Sequence, residues 1–282
     1  MPRRSLLWPD PRVKPPFGAA EIDWGQAPAG LMAYWLFNEL GGGVVSDLVD
    51  SRAGGTITLG AGSWTTSAGG AGLTTDASAT KITCGTNTDF NILAAPGYSI
   101  GIRAIFFSLA NFQDMAARDN AASTAGYRCQ LLNSASSNRM FTRHMTPGNS
   151  DLNSTNTNNI VQVGVETDLL WTWDGTTAEH FINGKSYAAG AVAAPATGGG
   201  NPLTIGAVIA GTTARAQVTF LRALFVGRAL SASEAFQAFA EPYAMLRPLV
   251  RRRYFVPASA AGGIPTLVGR RFSLAGPRGL AG

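Results

Sequence analysis

This sequence predicts an all-β fold: two antiparallel sheets stacked as a sandwich, with one short helix near the C-terminus. Three observations carry that expectation. Residues 169–187, LLWTWDGTTAEHFINGKSY, place Asp174-Gly175 and Asn183-Gly184 nine residues apart among β-branched and aromatic runs. Asp-Gly and Asn-Gly are strong hairpin signals, because both central residues of a type I′ turn need positive φ. Residues 99–109, SIGIRAIFFSL, alternate with Ile100, Ile102, Ala104 and Phe106 on one side, the period of a half-buried strand. The composition agrees: 282 residues with 34 glycines, 45% hydrophobic and only 14% charged side chains suit a turn-rich β protein with a substantial core.

Taken in order, residues 1–28 hold six prolines and two tryptophans without periodicity. Proline fixes φ and removes a donor, so this reads as an extended strap laid over a surface. Residues 29–245 read as strands and turns. Residues 31–37, LMAYWLF, are apolar on both faces, as in a strand covered on both sides. Val161, Val163 and Val165 alternate with polar or small residues, and Val218, Phe220 and the run Arg222 to Val226 do so in part. One helix is predicted after Ser231, whose capping-box spacing to Glu234 precedes a stripe of Phe236, Phe239, Ala240 and Tyr243. Residues 246–282 are rich in Gly, Ala, Pro and Arg, with Leu267-Val-Gly-Arg270 and Leu274-Ala-Gly-Pro-Arg278 as two imperfect copies of a phrase too short for a solenoid repeat. They read as an arm that orders on a partner.

The net charge of +5 is unevenly spread. Residues 1–28 carry four basic and three acidic groups, residues 29–245 eleven and fourteen, and residues 246–282 seven arginines and no acid. A slightly acidic body thus bears a basic tail, the mark of an interaction arm. Cys84 and Cys129 are too few for a disulfide framework and read as free buried thiols. No stretch approaches 18 uninterrupted apolar residues, and the start lacks the form of a secretory signal, so no membrane partner is expected and synthesis in the cytoplasm is.

Several pieces resemble the laminin-G-like, concanavalin A-like jelly roll over residues 29–245. They are Gly30-Leu31, Tyr34-Trp35, Phe37 and Glu39 at the opening strand, then Gly41 to Gly43, Asp47, Gly55 and Thr56. Trp64 and residues 69–73 follow, then the two turns at Asp174 and Asn183, the strand 202–206 and the closing helix from Arg228 to Ala235. The segment after Trp64 departs from the usual pattern, reading Leu73-Thr-Thr-Asp76-Ala. The Pro-rich lead-in and the Arg-rich RPLVRRRYFVP tail resemble laminin-G-like proteins of tailed bacteriophages. That resemblance implies a non-enzymatic virion structural protein, a capsid decoration or a minor head or tail component, held to capsid, portal or tail subunits by its terminal arms. The alternative is a carbohydrate-binding adhesin for host-surface glycans. Self-association is compatible with either.

Catalytic chemistry finds little support. Glu21-Ile-Asp23-Trp-Gly-Gln26 resembles the ExDxxE of laminarinase-like glycosidases, but Gln26 cannot donate a proton and the motif is expected to precede the first strand. His144 and His180 are not spaced as a metal pair, and His180 is expected in a structural role on a strand. Asp47, Asp50, Asp168 and Asp174 are too dispersed for a calcium loop. No P-loop, Gly-x-Ser-x-Gly elbow, HExxH or paired-cysteine pattern occurs. The expectation is therefore no catalytic residue, no cofactor and no metal. Trp171 and Trp173 share one face and should pack in the core, leaving the polar stretch 149–159 as the place for exposed recognition.

The candidate site residues form a protein interface on the arm: Arg247, Arg251, Arg252, Arg253, Tyr254, Phe255, Arg270, Arg271 and Arg278. Arginine forks bind carboxylates and aromatic anchors are enriched at interface hot spots. Clustered arginines beside rings also suit single-stranded nucleic acid, yet one short run on an acidic body argues against that partner.

Overall fold

A computed structural model describes residues 8–249, apart from 50–54, 59–62, 68–69, 76–80, 86–89, 91–96, 110–112, 120–123, 135–136, 147–149, 154–160, 197–200 and 208–215. The arm residues from 250 onward, including Arg251, Arg252, Arg253, Tyr254, Phe255, Arg270, Arg271 and Arg278, lie outside the described residues.

Among the described residues the architecture is an antiparallel β-sandwich with one helix. A front sheet runs in the order β12 (Ser150–Asn153), β11 (Ser137–Met145), β10 (Gly126–Ser134), β9 (Gln113–Asp119), β16 (Leu203–Ile205), β7 (Lys81–Cys84), β4 (Gly55–Thr58) and β3 (Val44–Val45). A back sheet runs β15 (Lys185–Ala191), β14 (Thr177–Ile182), β13 (Glu166–Trp173), β8 (Tyr98–Phe106), β17 (Val218–Val226), β6 (Gly70–Thr74) and β5 (Ser63–Ser67). β2 (Leu31–Trp35) also pairs with β17, alongside Ala223 to Val226, while β6 takes Thr219 and Phe220. A small third sheet joins β1 (Ala20–Ile22) to β18 (Leu246–Pro248), so the strap and the first residues after the helix close on each other.

Between the sheets lies the main core. Tyr98, Ile100, Ile102, Ala104 and Phe106 of β8 all enter it, as their alternation predicts, together with Trp171 and Trp173 of β13. β2 is covered on both sides: Ala33 and Trp35 face this core, and Tyr34 and Leu36 face a second one. That second core lies on the outer face of the back sheet. Leu170, Phe181, Leu224 and Val226 meet Ala20 and Ile22 of the strap, Leu31 of β2, Ala235 of the helix, and Tyr243, Met245 and Leu246.

Local chemistry differs from expectation at four places. Asn183 (φ 49°) and Gly184 (φ 75°) form the expected two-residue turn between Ile182 and Lys185. At the other hairpin only Gly175 has positive φ, because the Asp174 carboxylate accepts from the Thr176 and Thr177 amides and draws the loop into an Asx turn. Helix α1 (Ala232–Ala240) has the predicted capping box, yet Phe236 is 59% exposed. Phe239 faces the sheet and Tyr243 is buried as the stripe predicts, but Ala235 and Ala238 take the place expected of Phe236, since small alanines permit close approach to Arg222 and Leu224. Val161, Val163 and Val165 make no strand; Val163 contributes one isolated bridge to Phe106. The Glu21 motif lies partly on a strand, β1, but in the small sheet.

Candidate functional site

The two outer faces of the sandwich differ in what covers them. On the back sheet the strap, α1 and the β1–β18 pair seal an apolar layer whose polar centre is Asp168. Its Oδ1 accepts from Arg222 Nη2 and its Oδ2 from Arg103 Nη1, each at 2.7 Å. Arg222 Nη1 also donates to the carbonyls of Ala238 (3.1 Å) and Pro242 (2.9 Å), and the Tyr34 hydroxyl donates to Pro242 O. A helix with no basic residue in its last turn is thus met by a guanidinium from the sheet beneath it. This assembly holds α1 down over the centre of the back sheet.

The outer face of the front sheet is polar, buried at its centre around Asp114, Ala117 and Thr204 and open to solvent at its β11–β12 edge. Antiparallel register places Thr83, Thr204, Ala117, Arg128, Arg143 and Asp151 in one cross-strand row over six strands. With strands about 4.8 Å apart, that row is about 24 Å long. A second row beside it aligns Asp114, Gln130 and Phe141. Asp119 lies on the same face two positions beyond Ala117 on β9, and Lys81 and Arg139 lie two positions from Thr83 and Phe141.

One irregularity creates this arrangement. Strict alternation would send Asp114 and Asp119, five residues apart, to opposite faces. A bulge at Met115, between the pairs Cys129↔Ala116 and Gln130↔Asp114, brings both onto the outer face. β17 carries the same device: its register shift between Phe220 and Arg222 turns Phe220 into the core and Arg222 outward to Asp168.

Opposed arginines at Arg128 and Arg143 would repel. Each is held by its own carboxylate, Arg128 by Asp119 Oδ2 and Arg143 by both oxygens of Asp151 at 3.0 Å. The Arg143 guanidinium also stands 5.0 Å from the Phe141 ring centroid. Asp114 differs. It is fully buried, its Oδ1 accepts from the Gln130 amide, and its Oδ2 has no partner. Burial pushes its pKa up to about 7, against the smaller lowering effects of Gln130 and Arg128. Gln130 and Phe141 are buried beside it, whereas Arg139, Arg143 and Asp151 open to solvent.

The other titratable groups are committed to structure. His144 accepts from the Tyr98 hydroxyl at Nε2 and donates from Nδ1 to Ala193 O, and burial lowers its pKa to about 4. His180 lies on β14 against Thr142 Oγ1 at 2.7 Å, with its pKa lowered to about 3 by burial. Cys84 and Cys129 are free and buried, their thiol pKa values raised by desolvation. Among the described residues no group of three or more His, Cys, Asp or Glu is placed to hold a metal ion, and no helix is long and apolar enough to cross a membrane.

Of the residues singled out on the arm, Arg247 is described: on β18 its Nε donates to Glu21 Oε1 across the small sheet at 2.8 Å. Asp23 serves the turn after β1, accepting from the Gly25 amide, and leaves Trp24 59% exposed. Of the Asn-rich stretch, Ser150–Asn153 form β12 and 154–159 lie outside the described residues. Sequence reasoning missed Asp114, Asp119, Gln130, Arg128 and Arg143. The segment QDMAARD has weak β propensity, and the bulge erases the alternation that would have revealed its faces.

No protein-family model and no curated protein matches this sequence. Solved structures share its fold. Domain 4 of AbnA, an extracellular arabinanase of Geobacillus stearothermophilus solved in complex with arabinotriose, aligns with a TM-score of 0.55 at 15% identity over 78% of this chain and 98% of that one. The receptor binding domain of botulinum neurotoxin type G aligns at 0.54 and 13% identity, over 75% of this chain and 51% of that one. A sialidase of Trypanosoma rangeli aligns at 0.55 and 12% identity, over 76% of this chain and 33% of that one. At these identities the likeness is one of fold, the jelly-roll-like β-sandwich that the sequence predicts.

Proposed function

We propose that this chain is a non-catalytic, glycan-binding β-sandwich whose site is the outer face of the front sheet. The observation that carries the reading is the asymmetry of the two faces. Strap and helix pack apolar side chains against the back sheet, while the front sheet brings Arg139 and the Arg143–Asp151 pair to solvent beside the buried Asp114, Gln130 and Phe141. A few placed polar groups at a surface are what orient a polar ligand. The shared sandwich supports it, since the arabinanase domain of this shape was solved with arabinotriose. The test is a glycan array probed with the full chain and with Arg143→Gln. Saturable binding of one saccharide class, weakened by the substitution, is expected; an array with no retained glycan sinks the reading.

The seven arginines of residues 246–282 favour a second reading, in which the arm ties the sandwich to other subunits of a phage particle. Immunogold labelling of particles tests it: label on head or tail is expected, and bare particles remove it.

A further inference from the structure

We propose that β11 and β12, which carry the solvent-open Arg143–Asp151 pair, form an edge that His144 and His180 pin to the back sheet and that mild acid releases. This rests on the glycan-binding reading and adds its regulation: ligand is held at neutral pH and given up in acid.

Alternation on β11 sets the arrangement. Arg143 turns outward to Asp151 of β12, and both side chains are partly open to solvent. The residues on either side of it turn inward and bond across the sandwich. Thr142 Oγ1 stands 2.7 Å from Nε2 of His180 on β14. His144 Nε2 accepts from the Tyr98 hydroxyl of β8 at 3.1 Å, and its Nδ1 donates to Ala193 O at 2.7 Å. The chain's two histidines are thus both buried between the sheets, and both act within one residue of Arg143.

Both contacts suit an uncharged ring. A proton on His144 Nε2 removes the acceptor that the Tyr98 hydroxyl uses. An imidazolium at His180 carries two N–H groups, and its Nδ1 has no partner. Little nearby offsets such a charge. Among the described residues His144 is faced by Tyr98 of β8, Tyr127 of β10 and Trp173 of β13, with Asp151 of β12 as the neighbouring carboxylate, already held by Arg143. His180 meets Thr142 of β11, Trp171 of β13 and Ala188 of β15, none of them charged. Glu179, next to it on β14, accepts instead from Ser186. Burial accordingly lowers the two pKa values to about 4 and about 3.

An exposed histidine titrates near 6.5, so lifting the edge lets both rings take up protons. The open state binds more protons, and the closed state is therefore favoured above about pH 6.5 and loses ground as pH falls. Between pH 7.5 and 5 each ring multiplies the opening equilibrium by about thirty, and the two together by about a thousand.

Hydrogen–deuterium exchange of the full chain at pH 7.5 and 5, corrected for intrinsic rates, reads the opening without a ligand. Amides of β11 and β12 should lose about a thousandfold of protection and at pH 5 should exchange ahead of those in β8 and β17. His144→Gln combined with His180→Gln should remove most of that loss. A glycan array probed with the wild type at both pH values should retain its glycans at pH 7.5 and release them at pH 5. If all strands lose protection together, or if β11 and β12 do not respond, the inference is overturned and the glycan reading stands. Release of glycan at pH 5 with β11 and β12 still protected also overturns it, since acid then acts on the ligand contacts. An array bare at pH 7.5 overturns the glycan reading and the gating with it. If the double variant fails to fold, the wild-type exchange pattern decides alone.

Discussion

Removing Asp168 should cost more than removing Arg222, although the two are partners. Asp168 is shared by two guanidinium groups, of which Arg222 has a side chain only 3% exposed. Asp168→Ala leaves Arg222 Nη2 without its carboxylate inside an apolar layer. Breaking a buried pair in this way costs roughly 3–5 kcal/mol. Arg222→Met leaves Asp168 with Arg103 and replaces the guanidinium by an apolar chain. It loses one charge-assisted bond and the link to Ala238 O, while Pro242 O keeps the Tyr34 hydroxyl. That loss should cost about 2–3 kcal/mol. A folded unit of this size has an unfolding entropy of about 0.5 kcal/mol per kelvin, so the expected falls in Tm are about 8 °C and about 5 °C. Calorimetry gives the Tm values, and hydrogen exchange should show the amides of α1 losing protection in both variants. If Arg222→Met proves the more damaging, or if either costs below about 1 kcal/mol, the shared-carboxylate account is wrong.

Further predictions concern pH and backbone space. The Asp114 pKa is raised on folding, so it contributes stability below the unfolded value that is lost as pH rises toward 7. Asp114→Asn should therefore raise Tm at pH 8 and have little effect near pH 4; a uniform shift would contradict this. His144 and His180 have lowered pKa values and act with the opposite sign: the unfolded chain binds more protons, so stability falls as pH drops below about 6.5. Urea midpoints of the wild type and of His144→Gln should therefore diverge as pH falls from 7 to 4.5, the wild type losing more, and parallel series would refute a buried neutral His144. At Gly126 (φ 101°) an added Cβ would lie 1.9 Å from the Arg118 carbonyl oxygen. Gly126→Ala should thus lose well over 1 kcal/mol by chemical denaturation, and a neutral outcome would refute the β9–β10 register.

Much of the fold was legible because local signals and global packing agreed. The alternation of residues 99–109, the apolar run at 31–37, the Asn183-Gly184 turn and the Ser231 capping box each mark an element whose side chains pack as their spacing implies. The α1 stripe was right at Phe239 and Tyr243, which pack inward, and wrong at Phe236, which stays exposed while Ala235 and Ala238 stand against the sheet. The front-sheet site was not legible at all. Its residues come from four strands, and its central carboxyl sits beside a bulge that no periodicity marks.

By itself, the sequence determined the β class, the hairpin positions, the helix start and the concentration of arginines after residue 245, because those follow from residue chemistry over a few positions. Tertiary structure alone decided which face each polar side chain occupies. A single inserted residue reverses the faces of everything beyond it, so Met115 brings Asp114 and Asp119 together, and Leu221 delivers Arg222 to Asp168. Whether a carboxyl is a closed ion pair or a buried acid depends on which guanidinium reaches it, and that is fixed by cross-strand register between residues far apart in the chain.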